Sequence, residues 1–169
     1  MALITDNRFK FFGLSDKMEF TEEEYNALLI QYSEIDEAWN YVNNISKLKV
    51  RKTYIIKRIS RSEDICERYS NKYNYLKDKI SLIIQYINNI DEDSSNDKKA
   101  FKLLAETVLF LFEDFKKDFK TFYNSELVEL NDLKINISTL QQEYQNNYDL
   151  LKSICDSWGV DIDSIITKL

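Results

Sequence analysis

The 145 residues between Gly13 and Gly159 contain no glycine and no proline. Glycine interrupts regular backbone through its conformational freedom, and proline through its fixed φ and missing N–H. A sheet protein of this length needs many tight turns, and tight turns draw on glycine and Asn-Gly pairs. A chain without them has to run as long helices. The 169 residues therefore predict an all-α fold, an elongated antiparallel three- or four-helix bundle with coiled-coil-like seams in a single domain.

Apolar spacing divides the chain further. Residues 1–20 form an N-terminal aromatic segment. Thr21-x-x-Glu24 is a capping box, and it opens helix 1 over 21–44 with the stripe Tyr25, Leu28, Tyr32, Ile35, Trp39, Val42. Two threes in a row at Val42, Ile45 and Leu48 shift the stripe beside Asn43-Asn44, which ends the helix there. Helix 2 covers 46–90, about 68 Å at 1.5 Å per residue, with a 3-4 seam that only Lys52 and Ser62 break. Residues 91–97 are an acidic loop, short enough to make the flanking helices antiparallel neighbours.

The next stripe reads Phe101, Leu104, Val108, Leu111, Phe115, Phe119, Phe122, and it resumes as Leu127, Leu130, Leu133, Ile137, Leu140, Tyr144, Leu151, Ile154, Trp158. The phase slips by one residue between the two runs. Residues 98–158 are thus one helix with a stutter, or two helices broken near 124. Gly159 suits the left-handed position after a helix, and Asp161 caps a short helix over 161–169.

Much chemistry is excluded by residue type. The chain has no histidine, so it has no Ser-His-Asp or Cys-His pair and no His-ligated metal. Two glycines cannot build a phosphate-cradling loop. Cys66 and Cys155 are far apart in sequence and form no CxxC, which fits free thiols in a reducing, cytoplasmic compartment. No apolar run is long enough for a signal peptide or a membrane span. Asp91, Asp93, Ser95 and Asp97 have the spacing of a calcium loop, but Asn96 stands where its glycine is needed and Lys102 where its glutamate is. Nothing singles out a catalytic pair among the 29 acids, so the expectation is a protein that is not an enzyme and carries neither cofactor nor metal.

Charge placement is the most informative functional feature. Lys47, Arg51, Tyr54, Arg58, Arg61, Arg68, Lys72, Tyr75 and Lys79 follow a 4-3 rhythm along one face of helix 2, about 100° from its apolar seam. From Lys47 to Arg61 there are seven positive charges and no acid, against a net charge of −6 for the whole chain. The face either pairs with acidic neighbours such as Glu34, Glu37, Glu106 and Glu113, or docks an acidic partner. Arg with Tyr is an interface composition, and the same stripe is the candidate track for a nucleic acid. Phe9, Phe11 and Phe12 offer a second candidate contact, unless they pack across the end of the bundle. The leading expectation is a protein-interaction module. A nucleic-acid-binding module and a structural homo-oligomer are the alternatives, and Asn136 and Asn147 would set register if the last seam pairs between chains.

Overall fold

The computed structural model of the chain describes residues 3–91 and 94–169. The fold is all-α: two long helices pack against each other, beside three short helices and a two-stranded ribbon. The ribbon is β1 (Ile4–Thr5) paired antiparallel with β2 (Glu19–Phe20), Ile4 opposite Phe20. Between its strands lies α1 (Asn7–Phe11). Then follow α2 (Glu22–Gln31), α3 (Ile35–Asn88), α4 (Asn96–Trp158) and α5 (Ile162–Ile166).

Most helix ends form where local chemistry dictates. The Thr21 hydroxyl accepts from the Glu24 N–H at 3.3 Å, and the Glu24 carboxylate accepts from the Thr21 N–H at 3.0 Å. Asp6 caps α1 and Asp161 caps α5, each accepting the N–H two residues on. Gly13 and Gly159 both have φ near +70°, the left-handed geometry that closes α1 and α4.

The long helices differ from expectation in one place and decide an open alternative in another. The break falls at 32–34, not at Asn43-Asn44, and α3 runs unbroken through the asparagines. Its buried face is Ile35, Ala38, Val42, Ile45. The buried face does slip by one residue, whether it is followed through Leu48 or through Lys49, because Ile55 is buried and Ile56 exposed; the helix absorbs the slip without breaking. Lys49 is half-buried, and its Nζ donates to the Ile166 carbonyl at 3.1 Å. Of the two alternatives for 98–158, α4 takes the first: it is one helix of 63 residues with no break near 124.

The reason is a single heptad seam running from Ala105 to Trp158. Ala105, Leu109, Phe112, Phe119, Tyr123, Leu130, Leu133, Ile137, Leu140, Tyr144, Leu151 and Ile154 are buried or half-buried in strict 3-4 phase. Phe101, Leu104, Val108, Leu111, Phe115 and Phe122 lie outside that phase. The slip is a change from one face to another, not an interruption.

The chain divides into two compact units, 3–55 with 136–169 and 56–135. The first holds the core. Phe9, Phe12, Phe20, Ile35, Ala38, Val42, Ile45, Leu151, Cys155 and Ile165 are buried there almost completely. Edge-to-face rings knit it together, Phe12 on Trp158 at 5.4 Å and Phe9 on Phe20 at 5.8 Å. Asn147 accepts from Asn44 at 3.2 Å, a bond from α4 to α3 within the chain. The second unit is an antiparallel pair, α3 from 56 to 88 against α4 from 96 to 135. Tyr73 stacks on Phe119 at 4.9 Å and also reaches Phe112 at 6.3 Å. Ion pairs Arg58–Glu129 and Glu63–Lys134 flank the seam.

Asp6 ties the first unit together. It accepts from the Arg8 N–H at 3.0 Å, the Arg8 Nε at 2.9 Å and the Tyr25 hydroxyl at 3.1 Å. The Arg8 side chain, above all, holds this carboxyl below its usual range. Its stabilising contribution is therefore complete above about pH 4, the unfolded value, and fades as acid titrates through the lowered folded value. Acid titration of Asp6→Asn should accordingly show a shallower loss of stability below that pH than the parent chain. Phe9→Ala, by contrast, removes a ring with no solvent exposure. It should lower the unfolding free energy by about 3–5 kcal/mol in urea denaturation.

Candidate functional site

The basic face of α3 is where the sequence places it. Lys47, Arg51, Tyr54, Arg58, Arg61, Arg68, Lys72, Tyr75 and Lys79 are all exposed. Arg58 meets Glu129 across the helix pair, Arg68 pairs with Asp64 at 2.8 Å on its own helix, and the Lys79 ammonium lies 5.4 Å from the Tyr75 ring. Among the described residues, Lys47, Arg51, Arg61 and Lys72 have no carboxylate within 4.0 Å. The acids expected to neutralise them are engaged otherwise or stand apart. Glu37 accepts from Tyr41 at 2.6 Å, and Glu113 pairs with Lys116 at 3.4 Å. Glu34 and Glu106 are exposed and form no ion pair among the described residues.

The N-terminal aromatics require a correction. Phe9 and Phe12 are 0% and 1% exposed, and Phe11 is half-buried against Trp39 at 5.2 Å. The Lys168 ammonium donates to the Phe11 carbonyl at 2.6 Å and covers its ring at 5.2 Å. The capped turn of α1 points these rings inward, where they form the core, so Phe9 and Phe12 have no surface to present. Packing wins because three phenylalanines within four positions have more free energy to gain from burial than from solvent.

The structure brings forward a surface that the sequence did not single out as exposed. Leu104, Val108, Leu111, Phe115 and Phe122 stand in solvent along α4, with Leu104 63% and Leu111 60% exposed. The signal was present: over 101–122, α4 carries two apolar seams one residue apart, which is about 100° around a helix. One helix neighbour covers one seam. The uncovered one borders the basic face. Phe122 touches the Tyr69 ring at 5.0 Å, and Ile65, Arg68, Tyr69, Lys72 and Phe122 line a cavity of about 300 Å³. An apolar stripe on α4 and a cationic rim on α3 thus form one amphipathic face of the second unit.

Among the described residues no group of three or more acids, thiols or imidazoles is placed to hold a metal, and no helix is long and apolar enough to cross a membrane. The calcium-like spacing, already broken at Asn96 and Lys102, includes Asp93, which lies outside the described residues. Its neighbours act as a helix start instead: the Asp91 N–H donates to Ser94 Oγ at 3.1 Å, and the Lys98 N–H to Ser95 Oγ at 3.5 Å. Both cysteines are free and buried. Burial pushes the Cys66 thiol up, and pushes that of Cys155 up to about 11. Thiols held that high are poor nucleophiles near neutrality.

Comparison with protein-family models, with curated proteins and with solved structures finds no match. The thiol environment can be checked directly. Cys155 should resist a water-soluble maleimide in the native protein and react quickly in denaturant, as followed by mass spectrometry. Rapid native labelling at Cys155 would show a more open first unit than the one described.

Proposed function

We propose that this chain is a non-enzymatic protein-interaction module, and that its contact surface is the amphipathic face of the second unit. The observation that carries this reading is the uncovered seam of Leu104, Val108, Leu111, Phe115 and Phe122. Scattered apolar residues are normal on a surface, but a contiguous stripe of large ones marks a contact site. Fully burying each such side chain is worth roughly 1.5–3 kcal/mol, which a binder can recover. The cationic rim of Arg68 and Lys72 adds orientation and on-rate.

A nucleic acid fits this face less well. Phosphates would use the rim and leave the stripe uncovered, and the chain as a whole carries −6. Two buried thiols suit a reducing compartment, in keeping with an intracellular role.

The reading separates stripe from core. Leu104→Glu combined with Leu111→Glu should leave the helical circular dichroism unchanged and shift stability by no more than about 0.5 kcal/mol, since both side chains stand in water. Leu109→Glu, in the buried seam, should destabilise severely. A photoreactive phenylalanine in place of Val108 should form protein adducts in cells, and the same group at exposed Asp78 far fewer. A double variant that melts like Leu109→Glu, with no adducts at 108, would make the stripe a structural element and overturn the proposal.

A further inference from the structure

Resting on that reading of the second unit, we infer that the occupant of the face is a second copy of this chain. The two copies are related by a two-fold axis parallel to the helices, so that α4 of each lies against α3 of the other. Four helices then enclose the uncovered seams, as in an antiparallel bundle.

The face is self-complementary in charge. On α3 the apolar surface is bordered by Arg68 and Lys72, both exposed. On α4 Asp118 interrupts the stripe itself between Phe115 and Phe122, and Asp114 borders it one helical column further from α3. Both aspartates are exposed, and among the described residues neither forms an ion pair. The Tyr73 ring, between Phe112 and Phe119, sets the level of the two helices. Residue 72 of α3 is therefore level with residues 114–118 of α4. A rotation about an axis parallel to the helices keeps every residue at its own level. It lays the acidic border of each copy on the basic border of the other, twice. An axis across the helices would instead set α4 on α4 and acid on acid, which like charges oppose. A foreign acidic helix would satisfy Arg68 and Lys72 but leave Asp114 and Asp118 without a counter-charge.

The area is sufficient. Leu104 to Phe122 spans 18 helical steps, about 27 Å, and two adjacent helices are about 20 Å wide. That gives about 500 Å² per copy and about 1,000 Å² in total, the lower bound of a specific interface. An interface at that lower bound is sensitive to single charges at its border.

Sedimentation equilibrium of the full chain tests the arrangement. The parent protein should sediment at twice the chain mass at tens of micromolar, and Leu111→Glu at the chain mass. Asp114→Lys with Asp118→Lys should be monomeric, and so should Arg68→Glu with Lys72→Glu, each with parental circular dichroism. An equal mixture of the two charge variants should return to twice the chain mass, because each supplies the border that the other lacks. The four substitutions in one chain should do the same. That rescue excludes misfolding as the cause of the losses. A monomeric parent protein, charge variants that still dimerise, or a mixture that stays monomeric would each overturn the pairing. A monomeric parent that still forms adducts at position 108 removes the self-pairing but keeps the contact surface for a foreign chain. A monomer without adducts removes both.

Discussion

The buried seam of α4 is the constraint on which the other features rest. Sixteen positions in 3-4 phase from Ala105 to Trp158 point one face of a single helix inward along both units. Lys116 is the exposed exception, and Glu126 and Asn147 are its half-buried polar members. Because an α-helix turns about 100° per residue, no second seam offset by one position can turn inward with it. Leu104, Val108, Leu111 and Phe115 are outside because Ala105, Leu109 and Phe112 are inside. The same register brings Tyr73 between Phe112 and Phe119, and Leu151, Ile154 and Trp158 to the aromatic core.

The two units bury their residues very differently. Every large side chain that is essentially inaccessible belongs to the first, including Phe9, Phe12, Phe20, Ile35, Ile45, Leu151 and Ile165. There, short elements from both ends of the sequence cover the long helices. In the second unit two helices have only each other, and even central seam residues such as Tyr73 and Phe119 are only half-covered. A two-helix pair cannot close its own grooves, since each helix shields one side of its neighbour. Local stability should follow burial, with the second unit opening at lower free energy than the first.

Features governed by neighbouring residues were legible in the sequence. The capping box at Thr21 and Glu24, the left-handed Gly159, the Asp161 cap and the all-α character each depend on a few adjacent positions. The α3 start was misplaced because the slip beside Asn43-Asn44 reads as a break, whereas the helix absorbs it and the chain turns at 32–34 instead. The basic face was legible because helical spacing fixes which side chains are neighbours. Its lack of partners was not, since pairing with Glu34 or Glu106 depends on helix rotation, which spacing does not set. The apolar stripe of α4 was visible, but its exposure was not. A stripe at helical spacing reads the same whether its own chain covers it or another does. Phe9 and Phe12 failed as surface candidates for the converse reason, because a capped turn aims Phe9 at Phe20, Tyr25 and Tyr32, and Phe12 at Trp39 and at Trp158, the last more than a hundred positions away.

That last separation has a consequence for how the protein is made. Phe12 packs on Trp158, and the Phe11 carbonyl is held by Lys168. During synthesis the aromatic rings of the N-terminal segment leave the ribosome long before residues 136–169 exist. The second unit, whose contacts are nearer in sequence, can pair first. Until residues 136–169 emerge, Phe12 lacks the Trp158 ring, whereas Phe9 and Phe20 already have each other and Tyr25. The first unit is therefore completed last, and the nascent chain carries Phe12 and the apolar face of Ile35, Ala38, Val42 and Ile45 without their C-terminal cover for most of its translation.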